Sequence, residues 1–151
     1  MNPGRLLVAA ALTLFGCSCA GKKAPDPVTA APLDAADEVR GRELAAAFAE
    51  GFISAVKSGD FEQWRPLIPE SRRGGLTAEV FARIRRELAE TLGELREGTY
   101  FGVLRKGDLH DHLWKLSFVR DGKTRDALFL VRVFREKNAP PEIGGFGVKR
   151  F

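Results

Sequence analysis

The spacing of the apolar residues changes once along this chain, close to residue 98. Before that point, two long segments carry an apolar side chain every three or four residues, which is typical of amphipathic helices. After it, apolar and polar residues alternate, which is typical of half-buried strands. Helices that precede strands, without alternation of the two, predict an α+β fold in which N-terminal helices pack on a curved antiparallel sheet.

The helical part is expected to hold two long helices. The first spans about residues 37–57, where apolar residues recur every four positions, and Thr77 caps a later helix that reaches about residue 95. Between them, residues 61–68 are predicted to form a short helix or turn, and residues 70–75 a loop. Leu95 is expected on the buried face of the second long helix.

The strand part is predicted to contain four strands, over residues 99–105, 112–119, 125–135 and 142–151. Residues 106–111 are expected to form a turn. The third strand is expected to be central because both of its faces are apolar. One face should pack on the first helix, and the other should meet a second copy, a partner protein or a ligand. The two faces are Ala127, Phe129, Val131 and Val133 on one side and Leu128, Leu130 and Phe134 on the other.

The N-terminal segment is typical of a signal peptide. Arg5 is the only charged side chain of residues 1–16, and residues 6–16 form an apolar stretch that is shorter than the ~20 residues of a spanning helix. Residues 17–36 contain three prolines among small and polar residues, which predicts a disordered tether. Residues 37–151 are then expected to form a single globular domain.

The residues LFGC at positions 14–17 resemble the lipobox of bacterial lipoproteins. The resemblance implies that Cys17 receives a diacylglycerol and that palmitate-type acyl chains hold the mature protein in a membrane. Cys19 is the alternative acceptor, but Gly16 stands where an aliphatic residue would be expected. Ser18 follows Cys17, and in Gram-negative lipoprotein sorting a residue other than Asp there implies the outer membrane, facing the periplasm.

The segments SGDFEQW (58–64), LTAEVFARIRREL (76–88) and EIGGFGV (142–148) resemble the nuclear-transport-factor-like, or ketosteroid-isomerase-like, superfamily. The resemblance implies a cone-shaped, cystatin-like fold in which the sheet wraps around the long helix and leaves a pocket. It further implies that a small apolar ligand can bind there and that copies can pair through the sheet. Members that catalyse use a cavity carboxylate with a proton donor, and this pair has no matching positions here.

Polar-tipped residues of the strand segments are the candidates for lining such a cavity. Tyr100, Trp114 and Arg132 are proposed as cavity residues on their positions in the strands. The cluster of Asp108, His110, Asp111 and His112 lies in the predicted turn, so a structural role is favoured over a metal site there. No catalytic residue, metal ligand or cofactor is assigned from the sequence.

Composition narrows the function classes further. Both cysteines precede residue 20, so the globular part has no disulfide framework and no cysteine zinc site. The net charge of +4 is spread along the chain rather than gathered in a stripe, so no nucleic-acid partner is expected. The sequence therefore predicts a non-catalytic binding or scaffold lipoprotein of the cell envelope, for a small apolar ligand or an envelope protein. A small cavity enzyme of isomerase or dehydratase type is the alternative.

The lipid anchor is tested by replacing the two cysteines one at a time. Cys17→Ala is expected to abolish incorporation of a fatty-acid analogue, because the acceptor thiol is lost, while Cys19→Ala is expected to leave labelling unchanged. Metabolic labelling followed by gel fluorescence measures both. Labelling that survives Cys17→Ala and disappears with Cys19→Ala would show that the acceptor is Cys19.

Overall fold

A computed structural model of the protein describes residues 31–150, and within them three α-helices precede four β-strands. The predicted signal peptide, Cys17 and most of the predicted tether lie outside the described residues. The order of the elements confirms the α+β class expected from the change in apolar spacing. The helices are α1 (Ala35–Ser58), α2 (Glu70–Arg73) and α3 (Ala78–Thr91), and the strands are β1 (Glu94–Lys106), β2 (Leu109–Arg120), β3 (Lys123–Phe134) and β4 (Glu142–Arg150).

Helix α1 begins slightly before its predicted start and is fixed to the domain at its N-terminus. The side chain of Asp34 accepts a hydrogen bond from the backbone N–H of Asp37 at 2.9 Å, which caps the helix. The backbone N–H of Ala31 donates to the carbonyl of Arg135 at 2.8 Å, and the Arg135 guanidinium donates to the carbonyl of Pro32 at 2.7 Å. Residues 31–36, which the sequence assigned to the tether, therefore lie against the domain or within α1.

Residues 61–68 form two short 3₁₀ turns, which agrees with the short helix or turn expected there. Two other local predictions in the helical part are revised, and the first is the loop over residues 70–75, where α2 lies. Helix α3 is capped by Thr77 as expected but ends at Thr91, four residues early. Gly93 explains the early end: its φ is 104°, and a Cβ there would lie 2.3 Å from the carbonyl oxygen of Val119. The prediction that Leu95 lies on a helix face is therefore wrong, because Leu95 lies in β1 opposite Phe118.

The four strands form one antiparallel sheet in the order β1-β2-β3-β4, and the sheet does not close. Strand β3 lies between β2 and β4, which confirms its predicted central position. The prediction of a turn over residues 106–111 is wrong, because β1 extends to Lys106 and β2 begins at Leu109. Gly107, with a φ of 59°, permits a two-residue connection, so His110 and Asp111 lie within a strand.

The inner face of the sheet is the one on which α1 packs, and it is filled with aromatic rings. Phe52 of α1 stacks on Phe129 of β3 with ring centroids 4.5 Å apart, and Trp64 meets Phe48 edge-on at 5.1 Å. The indole N–H of Trp64 donates to the Phe48 carbonyl at 3.2 Å, so this fully buried polar group is satisfied. Phe146 of β4 closes the cluster at 5.3 Å from Trp64. Side chains therefore occupy the described space between α1 and the sheet.

The outer face of the sheet carries a second, smaller set of apolar residues. Leu113 and Phe134 are buried but do not belong to the core cluster that joins the helices to the sheet, and Leu128 and Leu130 are half-buried beside them. That a second copy or a partner protein covers these residues stays a prediction. Within residues 31–150, no helix is both long enough and apolar enough to cross a bilayer.

The core assignment is tested by two matched phenylalanine truncations in the full chain. Phe48→Ala is expected to lower the free energy of unfolding by about 3–5 kcal/mol, because the ring is 1% exposed and leaves a cavity. Phe101→Ala is expected to change it by less than about 0.5 kcal/mol, because that ring is 72% exposed. Urea denaturation followed by circular dichroism measures both, and equal losses would contradict the assignment of the inner face.

Candidate functional site

The N-terminal half of α1 lies over the adjoining ends of β1 and β2 and brings a group of polar and aromatic side chains together. Antiparallel pairing sets Tyr100 of β1 opposite Trp114 of β2, and His110 and His112 share the face of Trp114 because strand side chains alternate. Arg42 of α1 lies above this group. We call Arg42, Tyr100, His110, His112 and Trp114 the Tyr100 cluster.

Tyr100 is the centre of the cluster. Its hydroxyl lies 3.3 Å from Nδ1 of His112, and its ring meets the Trp114 ring edge-on at 5.2 Å. The guanidinium carbon of Arg42 lies 5.2 Å from the centre of the tyrosine ring, within the range of a cation–π contact. Tyr100 is 37% exposed, whereas Trp114 is buried. The tyrosine ring is therefore a solvent-facing wall whose orientation is held from three sides.

Burial lowers the pKa of His112 from its usual 6.5 to about 4. Electrostatic interactions with His110, Arg42 and Arg105 lower the pKa further, and Asp111 opposes them. The imidazole is therefore neutral near pH 7, and an unprotonated Nδ1 can accept a hydrogen bond from the Tyr100 hydroxyl. In that arrangement Nε2 carries the ring proton and can donate.

Two members of the cluster are not satisfied by other described residues. His110 is 6% exposed, yet its ring makes no hydrogen bond to any group within residues 31–150. Arg42 forms no ion pair with a carboxylate of the same part of the chain, whereas neighbouring Arg105 is paired with Glu38 at 3.1 Å. The cluster therefore holds one unneutralised cation beside an exposed aromatic ring.

The structure brings together two of the three residues proposed as cavity residues. Tyr100 and Trp114 are in contact, but Arg132 lies on the outer face of the sheet. Its Nε and Nη2 donate to the two carboxylate oxygens of Asp111 at 2.6 and 2.8 Å, and this bidentate hydrogen bonding raises the pKa of Arg132. Asp111 and Arg132 are paired across β2 and β3, so both point away from the Tyr100 cluster.

The histidine pair also has a different setting from the one predicted. His110 and His112 lie in β2, where they are buried, rather than in a polar turn. No group of three or more His, Cys, Asp or Glu residues within residues 31–150 is arranged to hold a metal ion. The sequence did show that His112 and Trp114 share a strand face. It did not show that Arg42, on a helix more than fifty residues away, would cover them.

A shallow cleft of about 240 Å³ lies elsewhere on the domain, between the 3₁₀ turns, α1 and the start of β4. Its walls are mostly apolar and rich in proline, and they include Leu44, Leu67, Ile68 and Ile143. This volume is below the roughly 300 Å³ at which small-molecule pockets usually begin. No residue of the Tyr100 cluster lines this cleft.

Three helices followed by an open, curved antiparallel sheet place the described residues among α+β domains. The chain is similar to a loop-truncation variant of IdmH, at 16% identity and a TM-score of 0.41, over 69% of this chain and 90% of that one. It is also similar to Bd1075 of Bdellovibrio bacteriovorus, at 11% identity and a TM-score of 0.42, over 79% of this chain and 44% of that one. The match thus spans less than half of the Bd1075 chain. No protein-family model and no curated protein matches the sequence.

The neutral state of His112 predicts a loss of stability in acid. Between pH 6.5 and about 4, His112 is protonated in the unfolded chain but neutral in the folded protein. The free energy of unfolding therefore falls as the pH is lowered through this window. The contribution of His112 is on the order of 3 kcal/mol. His112→Gln is expected to flatten the slope, as measured by urea denaturation at several pH values. An unchanged slope would contradict the burial of a neutral imidazole.

Proposed function

We propose that this chain is a lipid-anchored, non-catalytic binding module of the bacterial cell envelope, and that the Tyr100 cluster binds a small apolar ligand with an acidic group. The observation that carries the proposal is the partly exposed Tyr100 ring, held between the neutral imidazole of His112 and the guanidinium of Arg42, which has no carboxylate partner within residues 31–150. An aromatic wall with a few oriented polar groups is the usual composition of a small-molecule site.

The contacts of the cluster match the two parts of such a ligand. An apolar or aromatic body can pack on the Tyr100 ring, which the Trp114 ring contacts edge-on and which loses little freedom on binding. An acidic group can accept hydrogen bonds from the Arg42 guanidinium, which has no carboxylate partner within residues 31–150.

The setting of the carboxylates favours binding over catalysis. Acid–base catalysis of the isomerase type needs a base and a proton donor that face the same substrate. Asp111 is held by Arg132, and Asp126 accepts from the Ser117 hydroxyl at 2.8 Å, and both lie on the outer face. The described interior is also filled by the aromatic core rather than open as a chamber.

The anchor and the location belong to the same proposal. They are supported by the apolar segment before Cys17 and by the LFGC context at residues 14–17. Membership of the nuclear-transport-factor-like superfamily is supported by the order of helices before a curved sheet. An outer-membrane lipoprotein that faces the periplasm would hold its ligand site within reach of envelope components.

The second candidate function is that of a small enzyme, and one contact favours it. The phenol of Tyr100 and Nδ1 of the neutral His112 lie 3.3 Å apart. If the phenol turns its proton to a bound carbonyl oxygen, Nδ1 is freed to act as the base on the same compound. Exchange of the α-hydrogens of a bound ketone in D₂O, lost in Tyr100→Phe, would support this candidate and contradict a purely binding role.

The binding proposal is tested with two probes of the same shape, 2-naphthoate and 2-naphthylmethanol. NMR titration of the full chain is expected to shift the ring signals of Tyr100 and His112 with both probes. Arg42→Gln is expected to weaken naphthoate binding about tenfold, because a charge-assisted hydrogen bond is lost, and to leave the alcohol unaffected. Arg40→Gln, an exposed change on the same helix, is the matched control. The proposal fails if neither probe shifts these rings or if both variants behave alike.

A further inference from the structure

We infer that the ligand of the Tyr100 cluster carries a second acidic group at the far end of its apolar body, and that Arg105 binds this group in the place that the Glu38 carboxylate now occupies. This inference rests on the proposed function and deepens it, because it names the ligand class as an elongated apolar diacid. The observation that carries it is the ion pair between Nη2 of Arg105 and Oε2 of Glu38, at 3.1 Å.

Arg105 lies on the same face of β1 as Tyr100. The β1–β2 register sets Tyr100, Val103 and Arg105 opposite three residues that share the inner face of β2, namely Trp114, His112 and His110. Because residues directly opposite each other in a sheet point to the same side, the three β1 side chains also face inward. Val103 is half-buried and lies between the other two along the strand. An apolar body that packs on the Tyr100 ring can therefore continue over Val103 towards Arg105.

Helix α1 lies over both ends of this strip. Arg42 lies over the Tyr100 ring, and Glu38 pairs with Arg105. Glu38 and Arg42 are four residues apart, so they share the flank of α1 that is turned towards β1. Besides burial, electrostatic interactions with Arg42 and Arg105 lower the pKa of His112. Both guanidinium groups therefore lie within electrostatic range of the same imidazole, and both belong to the surroundings of the Tyr100 cluster.

The length of the strip indicates two acidic groups rather than one. Tyr100 lies opposite Trp114 and Arg105 opposite His110, so four residues of β2, or about 13 Å, separate the two positions along the sheet. A single acidic group makes hydrogen bonds of about 2.8 Å to a guanidinium, and it is too small to bind at both positions. A rigid apolar body with an acidic group at each end matches this separation.

Glu38 is an occupant of Arg105 that a ligand can replace. The ion pair shows that the chemical group which Arg105 binds at this position is a carboxylate. The side chain of Glu38 is 39% exposed and that of Arg105 is 58% exposed. A pair this exposed contributes little to folding stability, because water and salt screen it. An acidic group of the ligand can therefore take the place of Glu38 at small cost.

The imidazole of His110 is a second feature of the same end of the strip. It is 6% exposed and has no hydrogen-bond partner within residues 31–150. Buried polar side chains are normally hydrogen-bonded, so the fold by itself leaves this group unexplained. His110 lies directly across the ladder from Arg105, and an acidic group bound at Arg105 would bring a hydrogen-bond acceptor to this end.

The inference is tested with two probes that share one apolar body, 2-naphthoate and naphthalene-2,6-dicarboxylate. NMR titration of the full chain, followed through the ring signals of Tyr100, gives a dissociation constant for each probe. The diacid is expected to bind about fivefold more tightly than the monoacid, because its second carboxylate gains charge-assisted hydrogen bonds from Arg105.

Matched variants identify the residue that binds the second acid. Arg105→Gln is expected to reduce binding of the diacid to the level of the monoacid. Lys106→Gln, which removes an equal charge from the outer face of the same strand, is expected to keep the preference. Glu38→Gln is expected to increase the preference about threefold, because the competing carboxylate is lost. Glu43→Gln, an exposed change on another side of α1, is its control.

Equal binding of the two probes by the wild-type chain overturns the inference and leaves the proposed function standing. A diacid preference that survives Arg105→Gln, or that Lys106→Gln removes equally, overturns it as well. If 2-naphthoate itself does not shift the Tyr100 ring, the proposed function fails and the inference fails with it. Circular dichroism checks the fold of each variant. If Arg105→Gln does not fold, Arg105→Lys, which cannot form a bidentate pair, is expected to weaken the preference.

Discussion

The stacking of Phe52 on Phe129 decides the arrangement of the rest of the domain. The two rings lie 4.5 Å apart and nearly parallel, at 11°, in the middle of α1 and of the central strand β3. Because strand side chains alternate, this one contact defines the inner face for every strand paired with β3. Trp114 of β2 and Val148 of β4 lie opposite Phe129, so their side chains are also on the inner face.

The alternation of side chains along β2 also separates the two histidines from the aspartate that lies between them in the sequence. His110 and His112 point inward, beneath α1, while Asp111 between them points outward and holds Arg132. Burial, together with electrostatic interactions from His110, Arg42 and Arg105, lowers the pKa of His112 and keeps its imidazole neutral near pH 7, although Asp111 opposes this shift. The described residues thus combine an aromatic wall with a cation, Arg42, that has no carboxylate partner among them, and the proposed recognition of an acid rests on this combination.

The position of α1 along the sheet depends on small residues and on one ion pair at its N-terminal end. A Cβ at Gly41 would lie 3.0 Å from a methyl group of Val133, so the helix approaches β3 there as closely as a glycine permits. Asp37 and Arg135, both largely buried, join at 2.5 Å in the same region. These contacts carry Arg42 over Tyr100. The proposed ligand site therefore lies at the end of the domain where α1 begins.

The sequence by itself determined the order of helices before strands, the cap at Thr77 and the central place of β3, because these follow from apolar spacing and local hydrogen bonding. The reading of residues 1–30 as a signal peptide, lipid acceptor and tether also comes from local pattern, and it stays a prediction. Only the tertiary structure decided the partners of single side chains. Leu95 lies in β1 and not in α3, because only a glycine at position 93 fits against Val119. Arg132 lies outside the Tyr100 cluster, because Asp111 binds it on the outer face of the sheet. Arg42 contacts Tyr100 because of the way α1 packs on the sheet. Each depends on contact between residues far apart in the chain, which no local spacing can encode.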